Sequence, residues 1–357
     1  MVPRGESRRF TDHLREGSRS REMSFRSTHR KEEKEMKLGV FTVLFSQKPF
    51  EEMLDYVKDA GVEAVEIGTG GYPGSAHCNP DELLEDAGKL KAFKKAVADR
   101  GLVISALSCH GNPLNPNKEH AKASHDILMK TVRLAEKLEV PVVNTFSGTP
   151  GDHEGARYPN WPVAPWPPEY REVLKWQWEE KIIPYWKEAG KFAEEHHVKI
   201  GLELHGGFSV HTPATLLKLR EAVGEVIGAN LDPSHMWWQG IEPVGAIKIL
   251  GKEGAIHHFH AKDTVIDQDN VNMYGLTDMQ SYENLQSRAW QFRTVGFGHS
   301  LKEWADILSA LRLSGYDYVV SIEHEDALMS IDEGFRKAVA NLKQVMPSES
   351  LSEMWWV

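Results

Sequence analysis

Residues 198–207 read VKIGLELHGG, and the pattern of this stretch is the strongest single indication of the fold. Val198, Ile200 and Leu202 lead to Glu203, and a glycine pair closes the stretch. Because it is rich in Val and Ile and largely continuous in apolar character, it predicts a strand buried on both faces, as in a parallel sheet. Seven other runs share this character: LGVFTVLF (38–45), AVEIGTG (64–70), LVISALSCHG (102–111), PVVNTFSG (141–148), VIGANLDPSH (226–235), IHHFHAKD (256–263) and YVVSIEHED (318–326).

Longer amphipathic stretches separate these runs and predict helices. In residues 50–61, Met53, Leu54, Val57 and Ala60 recur at helical spacing, and Gly61 provides a stop signal. Similar stretches occupy residues 82–101, 121–138, 170–197, 213–224, 301–315 and 331–345. The stretch at 243–254 is also predicted to be a helix, although it is short for one.

Eight strand–helix units are what a closed (β/α)8 barrel requires. We therefore predict an α/β fold, a single-domain (β/α)8 TIM barrel over residues 36–346. The alternative is an open, doubly wound sheet. A glycine-rich phosphate-binding pattern does not follow the first run, which weighs against the dinucleotide-binding form of that fold.

The two ends of the chain differ from the predicted barrel. Residues 1–37 carry 11 Lys and Arg against 7 Asp and Glu and almost no aliphatic residues. Such a segment cannot bury enough apolar surface to offset its ordering entropy. We expect residues 1–35 to be a disordered basic extension, and either an upstream start codon or a cloning remnant would explain it, with the natural start near Met36. The tail at 347–357 ends in two tryptophans, so we expect it to pack on its own barrel or on a neighbouring subunit of a homo-oligomer.

Charge and composition exclude several classes of protein. The chain of 357 residues has 42 Lys and Arg against 52 Asp and Glu, a formal charge of −10. An acidic chain without a basic stripe is not typical of nucleic-acid binding. No apolar run approaches the ~20 residues that span a bilayer. Because Cys78 and Cys109 are the only cysteines, a disulfide framework is excluded and a reducing, cytoplasmic location is expected.

The last four predicted strands each end in ionisable side chains. Active sites of TIM barrels lie at this C-terminal edge. Buried carboxylates are costly unless they are paired or bind a metal, so several of them at one barrel mouth predict a divalent cation. A site of oxygen ligands with one imidazole favours Mn²⁺, with Mg²⁺, Co²⁺ or Zn²⁺ as alternatives. These side chains are Glu203, Asp232 with His235, His258 with His260, and Glu323.

The seventh strand leaves a choice between two histidines. His258 and His260 share one face of the strand, so one is expected to be a ligand and the other to support it. His257 is expected to point away, toward the helices, as a packing residue.

In this order along the chain, LELHGG, NLDPSH, HFHAKD, RTVGFGH and SIEHED resemble the sugar phosphate isomerase/epimerase superfamily, the xylose isomerase-like TIM barrels. That group includes ketose 3-epimerases, 2-keto-myo-inositol dehydratase and endonuclease IV. The resemblance covers about residues 36–345. It implies four metal ligands, two of which also serve as catalytic acid and base (Glu203 and Glu323), and two substrate contacts. The implied ligands are Glu203, Asp232, His260 and Glu323, and the implied substrate contacts are His235 and Arg293.

The chemistry of such a site predicts an isomerase or epimerase. A keto sugar would chelate the ion, one carboxylate would remove the proton next to the carbonyl, and a second would return it, with the ion stabilising the enediolate. Loss of a β-substituent at the same site would give a lyase instead, either a keto-inositol-type dehydratase or a 3-keto-glycoside deglycosidase. A non-catalytic carbohydrate-binding barrel is less consistent with a full ligand set. The acidic charge argues against endonuclease activity.

Further residues are expected to contact a carbohydrate. His110 follows the third strand, although a loop-capping role is equally plausible, and Lys262 follows the seventh. Trp161 lies in a proline-rich loop after the fourth strand, and Trp237 follows the sixth; indole rings stack on sugars, but packing would also explain both. A polar insertion at 264–291 is expected to fold over the barrel mouth, with Gly296 and Gly298 approaching a ligand. A single arginine, Arg293, favours an unphosphorylated sugar over a phosphate.

Overall fold

The computed structural model describes residues 35–349 and Trp356. Eight parallel strands close into a barrel in which each strand pairs with the next barrel strand along the chain and the last pairs with the first, which confirms the (β/α)8 prediction. In order around the barrel they are β1 (Lys37–Phe41), β2 (Ala64–Gly68), β3 (Val103–Ser108), β4 (Val142–Thr145), β5 (Lys199–Glu203), β6 (Ile227–Leu231), β7 (Ile256–Ala261) and β10 (Val319–Ile322). The predictions for the extension and for most of the tail lie outside the described residues.

The helices pack outside the barrel, and each predicted helical stretch contains at least one. They are α1 (Phe50–Asp59), α2 (Pro80–Glu85), α3 (Ala87–Asp99), α4 (Lys118–Leu138), α5 (Glu169–Trp176), α6 (Ile183–Glu195), α7 (Pro213–Val223), α8 (Pro233–Trp238), α9 (Pro243–Lys252), α10 (Gln268–Tyr274), α11 (Leu301–Leu313) and α12 (Ile331–Val345). A π-helical turn, Gln177–Ile182, joins α5 to α6. No helix in the described part of the chain is long and apolar enough to cross a membrane.

Local hydrogen bonds explain where the helices differ from the sequence prediction. The stretch at 82–101 divides into α2 and α3 because Asp86 leaves the helical conformation and its carboxylate caps α3 by accepting from the amides of Gly88 and Lys89. The short stretch at 243–254 does form a helix, α9, because Glu242 caps its first turn. The second half of the first predicted strand, Thr42–Phe45, is a 3-10 turn instead.

The insertion after β7 is ordered by an antiparallel strand pair, β8 (Asp263–Ile266) and β9 (Trp290–Arg293), with α10 between them. A separate apolar cluster of Trp238, Ala289, Trp290 and Phe292 holds it against the sixth unit. This cluster could not be predicted from the sequence, because the apolar residues of the insertion do not follow a helical or strand period along its whole length.

A single buried carboxylate anchors the start of the insertion. Both oxygens of Asp263 accept hydrogen bonds, from the amides of Thr264, Gly296, Gly298 and His299, from His299 Nδ1 and from Trp304 Nε1. A Cβ on Gly298 would lie 2.4 Å from the Thr264 carbonyl oxygen and 2.6 Å from Asp263 Oδ1. The expectation that Gly296 and Gly298 approach a ligand is therefore corrected: the group they approach is this carboxylate of the chain itself.

Replacing this carboxylate tests its role as an anchor. We expect Asp263→Ala to lower the free energy of unfolding by about 3 kcal/mol or more, because several buried donors lose a charged acceptor. Urea denaturation measures this value. The control is Asp306→Ala, which removes an exposed ion pair with Lys302 and should change stability by less than about 1 kcal/mol. Equal effects of the two substitutions would contradict the anchoring role.

His257 is buried on the outer face of the barrel, as the strand alternation predicts. Its Nδ1 lies 3.1 Å from the carbonyl oxygen of Ile200, and its ring packs on Gly228. Burial lowers the pKa of His257 to about 3 from the ordinary 6.5. Between these values the unfolded chain binds a proton that the folded protein excludes, so this group makes stability fall as the pH drops through the window.

The pH dependence of unfolding should therefore change in a variant without this imidazole. We expect His257→Gln to reduce the loss of stability between about pH 6.5 and pH 5 by up to about 1.4 kcal/mol per pH unit. Urea denaturation across this range measures the slope. His153→Gln, a substitution of an exposed histidine, is the control with which the slope is compared. A slope unaltered in His257→Gln would show that this histidine does not control it.

Candidate metal centre and active site

Four side chains from four neighbouring strands converge at the C-terminal edge of the barrel. One ligand atom from each of Glu203, Asp232, His260 and Glu323 lies within 4.8 Å of the others. The Nδ1 atom of His260 is 3.0 Å from Glu323 Oε2 and 3.5 Å from Glu203 Oε2. The parallel register places them together, because β5, β6, β7 and β10 follow one another around the barrel.

Local structure orients the carboxylate of Asp232. This residue is the N-cap of α8, and its Oδ1 accepts a hydrogen bond of 2.8 Å from the Ser234 amide. The cap holds one oxygen toward the helix and leaves Oδ2 free of it, 3.3 Å from Lys262 Nζ and 3.5 Å from His235 Nε2. The turn Asp232–Pro233–Ser234 therefore sets the direction of this carboxylate as well as the start of a helix.

The electrostatics of the cluster fit a divalent cation. Among the described residues, Asp232 Oδ2 and Glu323 Oε2 are buried and lack a hydrogen-bond partner, although charged neighbours lie close to both. Burial, helped by the nearby Glu323 and Glu203, raises the pKa of Asp232 to about 7. A bound cation would replace that proton. Three carboxylates and one imidazole are the donor set that Mn²⁺ and similar ions accept.

A second buried carboxylate, Glu66 on β2, supports His260 from below. The Nε2 atom of His260 lies 3.0 and 2.9 Å from the two Glu66 oxygens, on the opposite edge of the ring from Nδ1. Glu66 also accepts from the hydroxyls of Ser108 and Ser321 and from Asn144 Nδ2. Burial acts to raise the pKa of Glu66, but attraction by His260 and His258 and these hydrogen bonds hold it below its usual value. A carboxylate that accepts the second N–H of a ligand histidine fixes its tautomer and orientation.

The choice between the two histidines of β7 follows from these contacts. His258 also lies near Glu66, but its Nδ1 is 3.2 Å from Asn230 Oδ1 and its Nε2 is 3.2 Å from Ser105 Oγ. Both ring nitrogens are thus engaged inside the barrel, below the ligand cluster. Burial lowers the pKa of His258 to about 4, so this side chain is a neutral packing and hydrogen-bonding residue.

Two further histidines and a lysine adjoin the cluster. His110 Nε2 and His235 Nε2 lie 2.9 and 3.0 Å from the two oxygens of Glu203. Lys262 Nζ is 2.9 Å from Glu323 Oε2 and 3.3 Å from Asp232 Oδ2. Burial acts to raise the pKa of Glu323, but Lys262 and His260 outweigh it and lower this pKa to about 2. The structure therefore brings together His110, His235 and Lys262 with the predicted ligands.

This edge of the barrel opens into a cavity of about 410 Å³. Glu203, Glu323, His110, His235 and Lys262 lie in its wall. The insertion after β7 forms another side of the wall, through Tyr282, Leu285, Arg288, Gln291 and Phe292. The prediction that the insertion lies over the barrel mouth is confirmed. The size is that of a pocket for a small molecule.

The comparisons with known proteins agree with this architecture. The family described as xylose isomerase-like TIM barrel matches residues 54–345. The chain belongs to this family. Among curated proteins it is 40% identical over 314 residues to the uncharacterized protein YfiH of Bacillus subtilis (strain 168), covering 87% of this chain and 99% of that one.

Solved structures share the fold of this xylose isomerase-like barrel at low identity. The probable 3-DHS dehydratase AsbF of Bacillus anthracis superposes with a TM-score of 0.61 at 16% identity, over 86% of this chain and 99% of that chain. A D-tagatose 3-epimerase-like protein gives a TM-score of 0.58 at 19% identity, over 87% and 98% of the two chains. Barrels of this fold thus include both an epimerase-like protein and a probable dehydratase.

Three residues predicted to bind substrate are not in the cavity wall. Arg293 pairs with Asp326 at 3.1 Å. Trp237 stacks on His299, with ring centroids 3.7 Å apart. Trp161 packs behind the wall, edge-on to His211 and against the apolar cluster of the insertion. Arg293 and Trp237 thus each have a partner within the fold.

The predicted ligands account for only part of the site, and several residues of the cavity wall were not predicted from the sequence. Tyr72, Phe146 and His205 follow β2, β4 and β5 and line the cavity together with Arg288. Their loops carry no periodicity from which an inward direction could be predicted. Glu66 did carry a signal, because a glutamate within the apolar run AVEIG is costly to bury unless it has a function there.

The support of His260 by Glu66 can be measured through metal affinity. We expect Glu66→Gln to weaken Mn²⁺ binding by about 10- to 100-fold, because His260 loses the charged acceptor that orients its ring. Isothermal titration calorimetry on metal-free protein gives the affinity. Glu63→Gln, an exposed glutamate just before the same strand, is the control and should bind as the parent does. Unchanged affinity in a folded Glu66→Gln protein would contradict the supporting role.

Proposed function

We propose that this protein is a divalent-metal-dependent isomerase or epimerase that acts on a keto sugar. The observation that carries the proposal is the placement of Glu203 and Glu323. They belong to the two outer strands of the four that supply the ligand cluster, so their carboxylates approach it from opposite sides. Removing a proton from one face of a carbon and returning it to the other requires such a pair.

The proposed metal ligands are Glu203, Asp232, His260 and Glu323, with Mn²⁺ as the preferred ion. When bound, the ion would act as a Lewis acid that stabilises negative charge on the substrate oxygens. The fit rests on the donor set and on the buried oxygens of Asp232 and Glu323 that lack hydrogen-bond partners among the described residues.

The chain's own residues supply the proton transfers. Burial acts to raise the pKa of Glu203, but hydrogen bonds from His110 and His235 outweigh it, so the carboxylate is ionised and able to accept a proton from carbon. Glu323 is held ionised by Lys262 and His260 and can take the complementary part on the opposite face. Return of the proton to the same carbon from the other side gives epimerisation, and return to the neighbouring carbon gives isomerisation.

A lyase is the second candidate, and a histidine beside Glu203 favours it. Elimination needs a group that protonates the departing oxygen while a carboxylate accepts the proton from carbon. His110 places its Nε2 atom in the cavity wall 2.9 Å from Glu203 Oε2, in position for this part, whereas burial lowers the pKa of His235 to about 3, so His235 is neutral and can only donate a hydrogen bond. The same site would then remove water from a keto-inositol or a glycosidic group from a 3-keto-glycoside.

Hydrogen exchange at carbon tests the proposed function. Keto sugars incubated with the Mn²⁺-loaded protein in D₂O should incorporate deuterium next to the carbonyl. We expect Glu203→Gln and Glu323→Gln to slow this exchange by about 10²- to 10⁴-fold. Nuclear magnetic resonance of the sugar measures deuterium at each carbon. Glu333→Gln, which removes an exposed ion pair with Lys337 on α12, is the control and should exchange at the parent rate.

The products separate the two candidates. Deuterium incorporation without loss of water or of a glycosidic group supports the isomerase, and loss of either supports the lyase. Exchange that continues unchanged in both glutamine variants would exclude Glu203 and Glu323 as the acid and base.

A further inference from the structure

The insertion after β7 places a buried arginine in the cavity wall, on the side provided by residues 280–292. Arg288 is only 2% exposed. It precedes β9, outside every motif that carries the family resemblance. Neither the ligand cluster nor the proposed acid and base uses it.

The guanidinium of Arg288 is held in a fixed position. Its Nε donates to the carbonyl oxygen of Trp290 at 3.1 Å, and its Nη1 donates to the carbonyl oxygen of Gln280. The planar group lies 4.2 Å from the ring centroid of Tyr282 and 4.4 Å from that of Trp290. A group clamped in this way loses little further freedom when it binds a ligand.

One nitrogen of this guanidinium has no partner. Within residues 35–349 and Trp356, Arg288 Nη2 is buried and lacks a hydrogen bond, and no ion pair to Arg288 occurs there. Carbonyl oxygens and aromatic faces offset part of the cost of burying this charge, but a counter-charge is missing. Such a donor in a cavity wall is what the recognition of an anionic group requires.

The other cationic side chain of the wall is already neutralised. Lys262 lies within 3.3 Å of carboxylate oxygens from Asp232, Glu323 and Glu325. Among the described residues of the wall, Arg288 is thus the positively charged side chain that has no carboxylate partner.

We propose that Arg288 binds a carboxylate or phosphate group of the substrate, so that the substrate is an acidic keto sugar. This inference rests on the proposed function, which assigns the keto end of the substrate to Glu203 and Glu323. Lys262 Nζ lies 4.5 Å from the ring centroid of Phe292, and Phe292 stacks on Tyr282, which packs against Arg288. The rings of Phe292 and Tyr282 therefore lie between the acid–base residues and Arg288. There they can contact the carbon chain of a substrate that reaches both.

Three ketoses with the same reactive end test the proposal. D-Fructose, D-fructuronate and D-fructose 6-phosphate share the carbonyl and its neighbouring hydroxyls and differ at the sixth carbon, which is neutral, a carboxylate or a phosphate ester. Calorimetric titration of the Mn²⁺-loaded protein gives their affinities. We expect one of the acidic ketoses to bind about tenfold to a hundredfold more tightly than D-fructose. Comparison of the two acids identifies the anionic group.

The variants assign this preference to one side chain. In Arg288→Gln the acidic ketose should lose its advantage in affinity over D-fructose, whereas Arg288→Lys should retain part of that advantage. Arg336→Gln, an exposed residue of α12 that pairs with Asp332, controls for general charge and should keep the full preference. The ratio of the affinity for the acidic ketose to that for D-fructose is the decisive measurement. If Arg288 had only a structural role, its loss would weaken the binding of all three ketoses alike.

The outcomes separate this proposal from the proposed function. Equal affinities for the three ketoses in the parent protein, failure of both acids to bind, or an unchanged ratio in Arg288→Gln would each overturn the role of Arg288. The acidic ketose could bind more tightly only when Arg288 is present, while no ketose exchanges hydrogen for deuterium. That result would support Arg288 as the anion-binding residue and reject the isomerase function.

Discussion

The hydrogen bond between Glu66 and His260 is the interaction on which the candidate site depends. It lies inside the barrel, where an unpaired carboxylate would cost several kcal/mol. The carboxylate is stabilised because donors from four other strands converge on it, and one of them is the imidazole whose far edge faces the ligand cluster. The five strands tied together in this way contribute Glu66, Ser108, Asn144, His260 and Ser321.

This arrangement couples the stability of the barrel to the geometry of its mouth. The ring of His260 cannot rotate without breaking its bonds to Glu66, so Nδ1 stays directed at Glu203 and Glu323. Negative charge then accumulates above the ring, and Lys262 and a cation are the groups that can balance it. At Asp232, burial and the neighbouring Glu323 and Glu203 outweigh the attraction of Lys262 and raise the pKa, whereas at Glu323 the attraction of Lys262 and His260 outweighs burial and lowers the pKa.

The insertion shows how two buried charges can serve different ends. Asp263 has its hydrogen-bonding capacity filled by amides, an imidazole and an indole of the same chain, so its charge contributes to folding. Arg288 keeps one nitrogen without a partner in the described part of the chain, and this nitrogen belongs to a residue in the cavity wall. A satisfied charge anchors the segment, and an unsatisfied one remains able to bind a ligand.

The barrel could be predicted from the sequence because it depends on local patterns, and the same patterns place Glu203, Asp232 and Glu323 at strand ends, whereas the choice of His260 over His258 came from the family resemblance. Continuous apolar runs mark buried parallel strands, and ionisable side chains at their ends such as Glu203 and Glu323 must meet at one edge of a closed sheet. Other features depend on which partners lie across the barrel. Glu66 and His260 contact each other although 194 positions separate them in the sequence. Trp237 stacks on His299 and Arg293 pairs with Asp326, so neither side chain lines the cavity. The direction of a side chain in a loop is decided by the neighbours it meets after folding, so only the tertiary structure could place Arg288 in the wall and Trp161 behind it.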